Sequence, residues 1–172
     1  MKSVIVVMAL MVALAVQTTL SGMMIGGRVP VNMVLVAVIY IALAFGAVTG
    51  MFAGAAAGLA QDALSGDIVG IGGLAKTLVG FLVGVLGAQF IVSQTIPRFV
   101  MFVGATLLHE VVFEALHALV EGRRFALQLS AVLVQALINA VIGVAAFMIV
   151  EKGPDFAQRR QMRRASFGKR RF

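Results

Sequence analysis

The sequence predicts an all-α fold, a polytopic transmembrane bundle of about six helices followed by a short basic tail. Two observations carry this. Hydrophobic residues make up 61% of the 172 residues and the mean hydropathy is +1.05, which leaves too little polar surface to coat a water-soluble globule. The apolar runs are also far longer than the roughly 10 residues of a membrane-barrel strand and match the roughly 20 that a helix needs. Because lipid cannot hydrogen-bond the backbone, only helices or closed barrels can span it, and run length decides for helices. The chain contains no cysteine, so disulfides, thiolate metal sites and cysteine nucleophiles are excluded.

Taken in order, Val4 to Leu20 forms the first span. Lys2, the apolar core and the Ala13-Leu14-Ala15 triplet imitate a cleavable secretory signal, but five further spans follow, so this helix is expected to stay as an anchor. Ser21 to Arg28 is a loop, and Pro30 opens helix two with Asn32 in its first turn. As one helix the run from Val31 to Ala60 would be about 45 Å long, against a hydrocarbon core of about 30 Å. It is therefore divided near Phe45 to Thr49, and helix three ends at about Leu64. Ser65 to Gly73 reads as a glycine-rich turn. Helix four spans Leu74 to Val92, helix five Arg98 to Val120 and helix six Phe125 to Val150, with Pro97 and Arg123-Arg124 at the junctions. The bundle thus occupies residues 1–150 and the tail residues 151–172.

An even number of spans puts both termini on one side, and the tail carries Lys152, Arg159, Arg160, Arg163, Arg164, Lys169, Arg170 and Arg171. With Lys2 and Arg98 this makes 10 of the 14 basic residues, against Arg28, Lys76, Arg123 and Arg124 on the other side. Both termini are therefore expected in the cytoplasm of a bacterial inner membrane. Directly after a membrane helix, Arg159, Arg160, Arg163 and Arg164 suit anionic lipid, at about 1 kcal/mol per basic residue, or a cytoplasmic partner. Phe156, Phe167 and Phe172 make no clean helical stripe among them, so the tail is expected to be disordered alone and not to bind nucleic acid.

In helix three, glycines recur at Gly46, Gly50, Gly54 and Gly58, and the next step of four is Asp62. Helices in lipid gain no hydrophobic energy by meeting, so small residues that let backbones approach become the favoured contact, internally or with a partner. Helix four carries a matching row, Lys76, Gly80, Gly84 and Ala88. In an antiparallel hairpin the two rows face each other, and Asp62 and Lys76 reach the same membrane face, where they are expected to pair.

The run PVNMVLVAVIY, with GMFAGAAAGLAQDALSGDIVGIGGLAKTLVGFLVG, resembles the rod-shape-determining MreD family of small six-helix inner-membrane proteins. The likeness rests on Pro30, Gly54, Gly58, Asp62, Ser65-Gly66, Gly70 and Gly80; at the start of helix two the family usually has an acidic residue where this chain has Asn32. The resemblance implies a non-enzymatic member of the cell-elongation machinery that binds the bitopic protein MreC. Through it the chain would reach the MreB filament, RodA and a class B penicillin-binding protein. The same helical plan is similar to the substrate-binding subunits of energy-coupling-factor vitamin transporters. A vitamin site normally wants aromatic and polar groups converging in a cavity, and this chain has one tyrosine, Tyr40, and no tryptophan.

Helix five holds the densest chemistry, His109, Glu110, Glu114, His117 and Glu121. At 100 degrees per residue Glu110, Glu114, His117 and Glu121 share a sector of about 60 degrees, with His109 to one side. Ionisable groups in a span are costly and face protein or water. On helix six Gln128, Gln135 and Asn139 share a face, and the two polar stripes are expected to meet or to line one cavity. Glu114 and His117 have the spacing of a di-iron motif, which needs a second copy and further carboxylates, and Phe113 stands where a zinc-protease HExxH wants histidine. With no P-loop, no nucleophile beside a base and no metal or cofactor motif, the chain reads as non-enzymatic.

Overall fold

The computed structural model describes residues 2–23, 31–89 and 94–168, with side chains over residues 3–20, 31–89 and 94–150. Six helices account for the regular structure of these residues: α1 (Lys2–Met23), α2 (Met33–Phe45), α3 (Ala47–Ser65), α4 (Ile71–Gln89), α5 (Thr95–Glu121) and α6 (Leu129–Gly168). Among the described residues, α1, α4, α5 and the stretch Leu129–Val150 of α6 are long and apolar enough to cross a membrane. On α1, Val4 is 65% and Met11 61% exposed, a surface that suits lipid and not water.

Local chemistry sets the helix ends, and several differ from the sequence expectation. Asn32 is the N-cap of α2 and not part of its first turn; its Oδ1 accepts the Leu35 N–H at 3.0 Å. Pro30 lies outside the described residues. The turn between α3 and α4 is shorter than Ser65 to Gly73, because α4 already begins at Ile71. Pro97 is no junction: α5 starts two residues earlier at Thr95, and a proline in a first turn forfeits no intrahelical bond. Helix six does not end at Val150, since α6 continues as helix to Gly168. Extending an existing helix avoids the costly first turn that an isolated segment must form. The expected contacts of Arg159, Arg160, Arg163 and Arg164 lie outside the described side chains.

The long apolar run divides at one residue. Gly46, at φ +92°, ends α2 and begins α3: its N–H donates to the Ala42 carbonyl at 2.9 Å, and its own carbonyl accepts the Gly50 N–H at 3.0 Å. A positive φ is where a side chain would be strained, so glycine permits the reversal. The folded-back helices bring Ala53 and Ala57 of α3 against Val34, Val38 and Ile41 of α2, together with Leu10 of α1. The opposite side of α2 packs into a second cluster with Val79 and Val83 of α4, Phe102 of α5 and Phe147 of α6. At 13 residues α2 is the shortest helix and the central one, with seven residues buried.

Glycine brings α3 and α4 into backbone contact. A Cβ on Gly58 would stand 2.6 Å from the Gly73 Cα, and one on Gly50 would stand 2.6 Å from the Gly80 carbonyl oxygen. Gly54 meets the Lys76 backbone and Gly84 the Ala47 backbone in the same way. The seam is thus intramolecular from end to end. Of the two contacts expected of these rows, internal or with a partner, the Cα faces of Gly50, Gly54, Gly58, Gly80 and Gly84 make the internal one. Gly46 serves the turn: a Cβ there would meet open space, although its carbonyl carbon lies against Gly84 at the end of the seam.

Candidate functional site

Alternating helices carry the end of α1, the start of α2, the end of α3, the start of α4, the end of α5 and the start of α6 to one end of the bundle, away from the chain termini. A cavity of about 860 Å³ opens there, lined by residues of α1, α3, α4, α5 and α6 and of three connecting segments, among them Val31 and Asn32 just ahead of α2. It explains how a 13-residue helix fits in a membrane protein, since backbone that begins at depth is tolerated where it lines a polar cavity. Around that start, Gln17 Oε1 of α1 accepts the Met33 N–H at 2.8 Å, and Asn139 Oδ1 of α6 accepts the Asn32 N–H at 3.1 Å.

One wall is the end of the α3–α4 seam. Asp62 is 4% exposed, and its Oδ2 accepts the N–H groups of Gly70 at 2.9 Å and Gly73 at 3.1 Å. The carboxylate therefore caps α4, where the free N–H groups and the helix dipole both favour a negative charge. This corrects the expected pairing with Lys76: among the described residues Lys76 makes no hydrogen bond or close ion pair. Lys76 is 2% exposed, and its ammonium is held in the field of Asp62, Glu110 and Asp67. The cap wins because the backbone donors at the start of α4 are fixed beside the carboxylate.

The facing wall joins α5 to α6. Gln135 Nε2 donates to Glu110 Oε1 at 2.8 Å, and Asn139 Nδ2 donates to Thr106 Oγ1 at 3.4 Å. The two polar stripes thus touch, and Glu110, Glu114, His117, Gln128 and Gln135 of them line the same cavity, with Asn139 behind it. Deeper in, His109 Nδ1 lies 3.0 Å from Glu110 Oε1, and His109 is 2% exposed. It does not lie off to one side, because the cavity reaches from α6 across α5 to α4 and takes in both 109 and 110. Toward the mouth, His117 Nε2 stands 3.3 Å from Asp67 Oδ1, and Phe113 stacks between the two histidines, with centroids 5.6 Å and 4.4 Å away.

At the rim Arg123 donates through Nη1 and Nη2 to the two carboxylate oxygens of Glu114 and through Nε to Glu121. These bonds raise the Arg123 pKa above its ordinary value, so the guanidinium keeps its charge throughout. Glu114 also accepts the Ala126 N–H at 3.3 Å, which ties the α5–α6 loop down. Arg123, Asp67, Gln17, Gln61, Thr106 and His109 are thus site residues that periodicity on single helices missed. Gln17 and Gln61 did leave a signal, each an amide within an apolar run. Among the described residues no three metal-ligating side chains converge.

Arg98 and Lys76 both leave the count of loop charges. Lys76 is enclosed by the bundle, and Arg98, at the other end, is 8% exposed with its guanidinium 4.4 Å from the centroid of the Phe147 ring.

The family model for the rod shape-determining protein MreD matches residues 1–153, the whole bundle and cavity included. The chain belongs to the MreD family. It is thus a multi-pass helical membrane protein of a family that determines rod shape. No curated protein and no solved structure matches it. Within this MreD-family bundle the glycine pattern that carried the resemblance is the α3–α4 seam. Asn32 is both the cap of α2 and a partner of Asn139.

Proposed function

We propose that this MreD-family chain is a non-enzymatic scaffold of the bacterial cell-elongation machinery in the inner membrane, with both termini in the cytoplasm. It binds MreC and, through it, MreB, RodA and a class B penicillin-binding protein, and so organises peptidoglycan synthesis. The single observation that carries the reading is the family match over residues 1–153. The glycine seam supports it indirectly: helices locked backbone to backbone make a rigid body on which a partner helix can rest. Since the seam is consumed internally, the partner meets other surfaces, among which the apolar face of α1 is the most exposed. The α6 helix carries basic residues beyond the bundle, where anionic lipid would hold them.

The test is affinity purification of the tagged chain from its native membrane in mild detergent, with mass spectrometry of what co-elutes. MreC and elongation proteins are expected. Recovery of a transporter coupling subunit with an ATPase pair, and no MreC, would instead establish the second reading, a substrate-binding subunit of an energy-coupling-factor transporter. The one observation in favour of that reading is the polar cavity.

A further inference from the structure

The cavity contains more hydrogen-bonding capacity than the protein uses, and the surplus has a definite chemical character. The carboxylates are spent. Asp62 takes two backbone N–H groups, Asp67 faces His117, and Glu110 takes Gln135 while facing His109. Three buried groups on three different helices are not. The Lys76 ammonium of α4 has no hydrogen bond among the described residues, and both His109 Nε2 of α5 and Gln61 Oε1 of α3 are buried without a partner. Buried polar atoms are satisfied in the great majority of native structures, so two orphans beside an ammonium without a hydrogen bond need an explanation.

Their roles can be assigned. A carboxylate only accepts, so the His109 nitrogen facing Glu110 carries the proton, and in the neutral ring this leaves Nε2 as a lone pair. Gln61 Oε1 is also an acceptor, and Lys76 supplies three donors. The deep wall therefore offers donors and acceptors together. Charge narrows the choice further. Asp67 faces His117, and Glu114 and Glu121 share Arg123 at the rim, so on the deep wall Asp62 and Glu110 oppose the Lys76 ammonium; an added anion would meet an excess of carboxylate, and an added cation would meet Lys76.

We propose that this cavity binds a neutral polyhydroxylated molecule, a sugar or sugar-like polyol, through Lys76, His109 and Gln61. A hydroxyl group is both donor and acceptor: one oxygen can accept from the Lys76 ammonium while its neighbours donate to His109 Nε2 and Gln61 Oε1. The volume of about 860 Å³ falls within the range of about 300–1,000 Å³ typical of small-molecule sites. The site goes beyond the scaffold reading and does not depend on it, because the cavity is complete within one chain.

The experiment uses the full chain in lipid nanodiscs, with empty nanodiscs as the blank. Saturation-transfer NMR is recorded with glucose and N-acetylglucosamine as neutral probes, acetate as the anion and choline as the cation. The expected result is transfer to at least one sugar and to neither ion, with the sugar signal falling at least fivefold in Lys76→Met and in His109→Phe. Lys76→Met keeps the length of the stem and removes only the charged head. No transfer to either sugar, transfer to acetate or choline that sugar does not displace, or an undiminished signal in both variants overturns the proposal. If a variant fails to fold, the choice between sugar and ion on the wild-type chain still decides. Loss of MreC from the affinity purification would overturn the scaffold and leave this result unchanged.

Discussion

Placing one methyl group on the α3–α4 seam separates packing from composition as the role of the glycines. In Gly58→Ala the new Cβ would lie 2.6 Å from the Gly73 Cα, 2.7 Å from the Gly72 carbonyl oxygen and 2.8 Å from the Gly73 nitrogen. All three are backbone atoms and no rotamer can yield. Carbon atoms rest at about 3.5–4.0 Å, so the helices must part locally by roughly 1 Å, and a gap of that size forfeits a quarter to a half of each contact well. Overpacking of this kind costs about 1–3 kcal/mol, while replacing glycine by alanine within a helix returns about 1 kcal/mol. The net effect runs from about zero to a loss of about 2 kcal/mol, up to roughly a 30-fold fall in the folding equilibrium. The control is Gly104→Ala on α5, where nothing lies within 4 Å of the added Cβ and only the propensity gain remains. Both are measured by reversible unfolding in mixed micelles. Gly58→Ala is expected to be the less stable by about 1–3 kcal/mol, and a Gly58→Ala chain as stable as the Gly104→Ala chain would refute the argument that the seam holds α3 to α4.

Two further outcomes follow from the same geometry. Asn139→Leu removes the acceptor of the Asn32 N–H and the partner of Thr106, and leaving buried polar groups unpaired should cost about 1–3 kcal/mol in the same unfolding assay; no loss would show that neither bond holds the start of α2. Because the chain has no cysteine, single cysteines report sidedness cleanly. In whole cells an impermeant maleimide should label Asp67→Cys at the cavity mouth, whereas Gln161→Cys on the extension of α6 should react only after permeabilisation, and the reverse pattern would invert the proposed orientation.

Composition and spacing alone determined the fold class, six helices, the division of the long apolar run near Phe45, and the facing glycine rows. Each is local or periodic: lipid leaves helices as the answer to long apolar runs, and a backbone-contact seam requires glycine at every fourth residue. The polar residues of α5 and α6 were legible for the same reason, since a carboxylate in an apolar run must have an environment made for it.

What the residues around Asp62 do was decided only by tertiary structure. Its spacing to Lys76 allowed an ion pair, but the N–H groups of Gly70 and Gly73 lie closer in the folded hairpin and take the carboxylate first. His109 looked misplaced on its own helix, yet the cavity extends over more than one stripe of α5. Arg123, Asp67 and Gln17 come from a loop, a turn and another helix, which no single period connects. Periodicity shows which side of a helix cannot face lipid; which groups on that side meet, and which stay unpaired, depends on where six separate helices end in space.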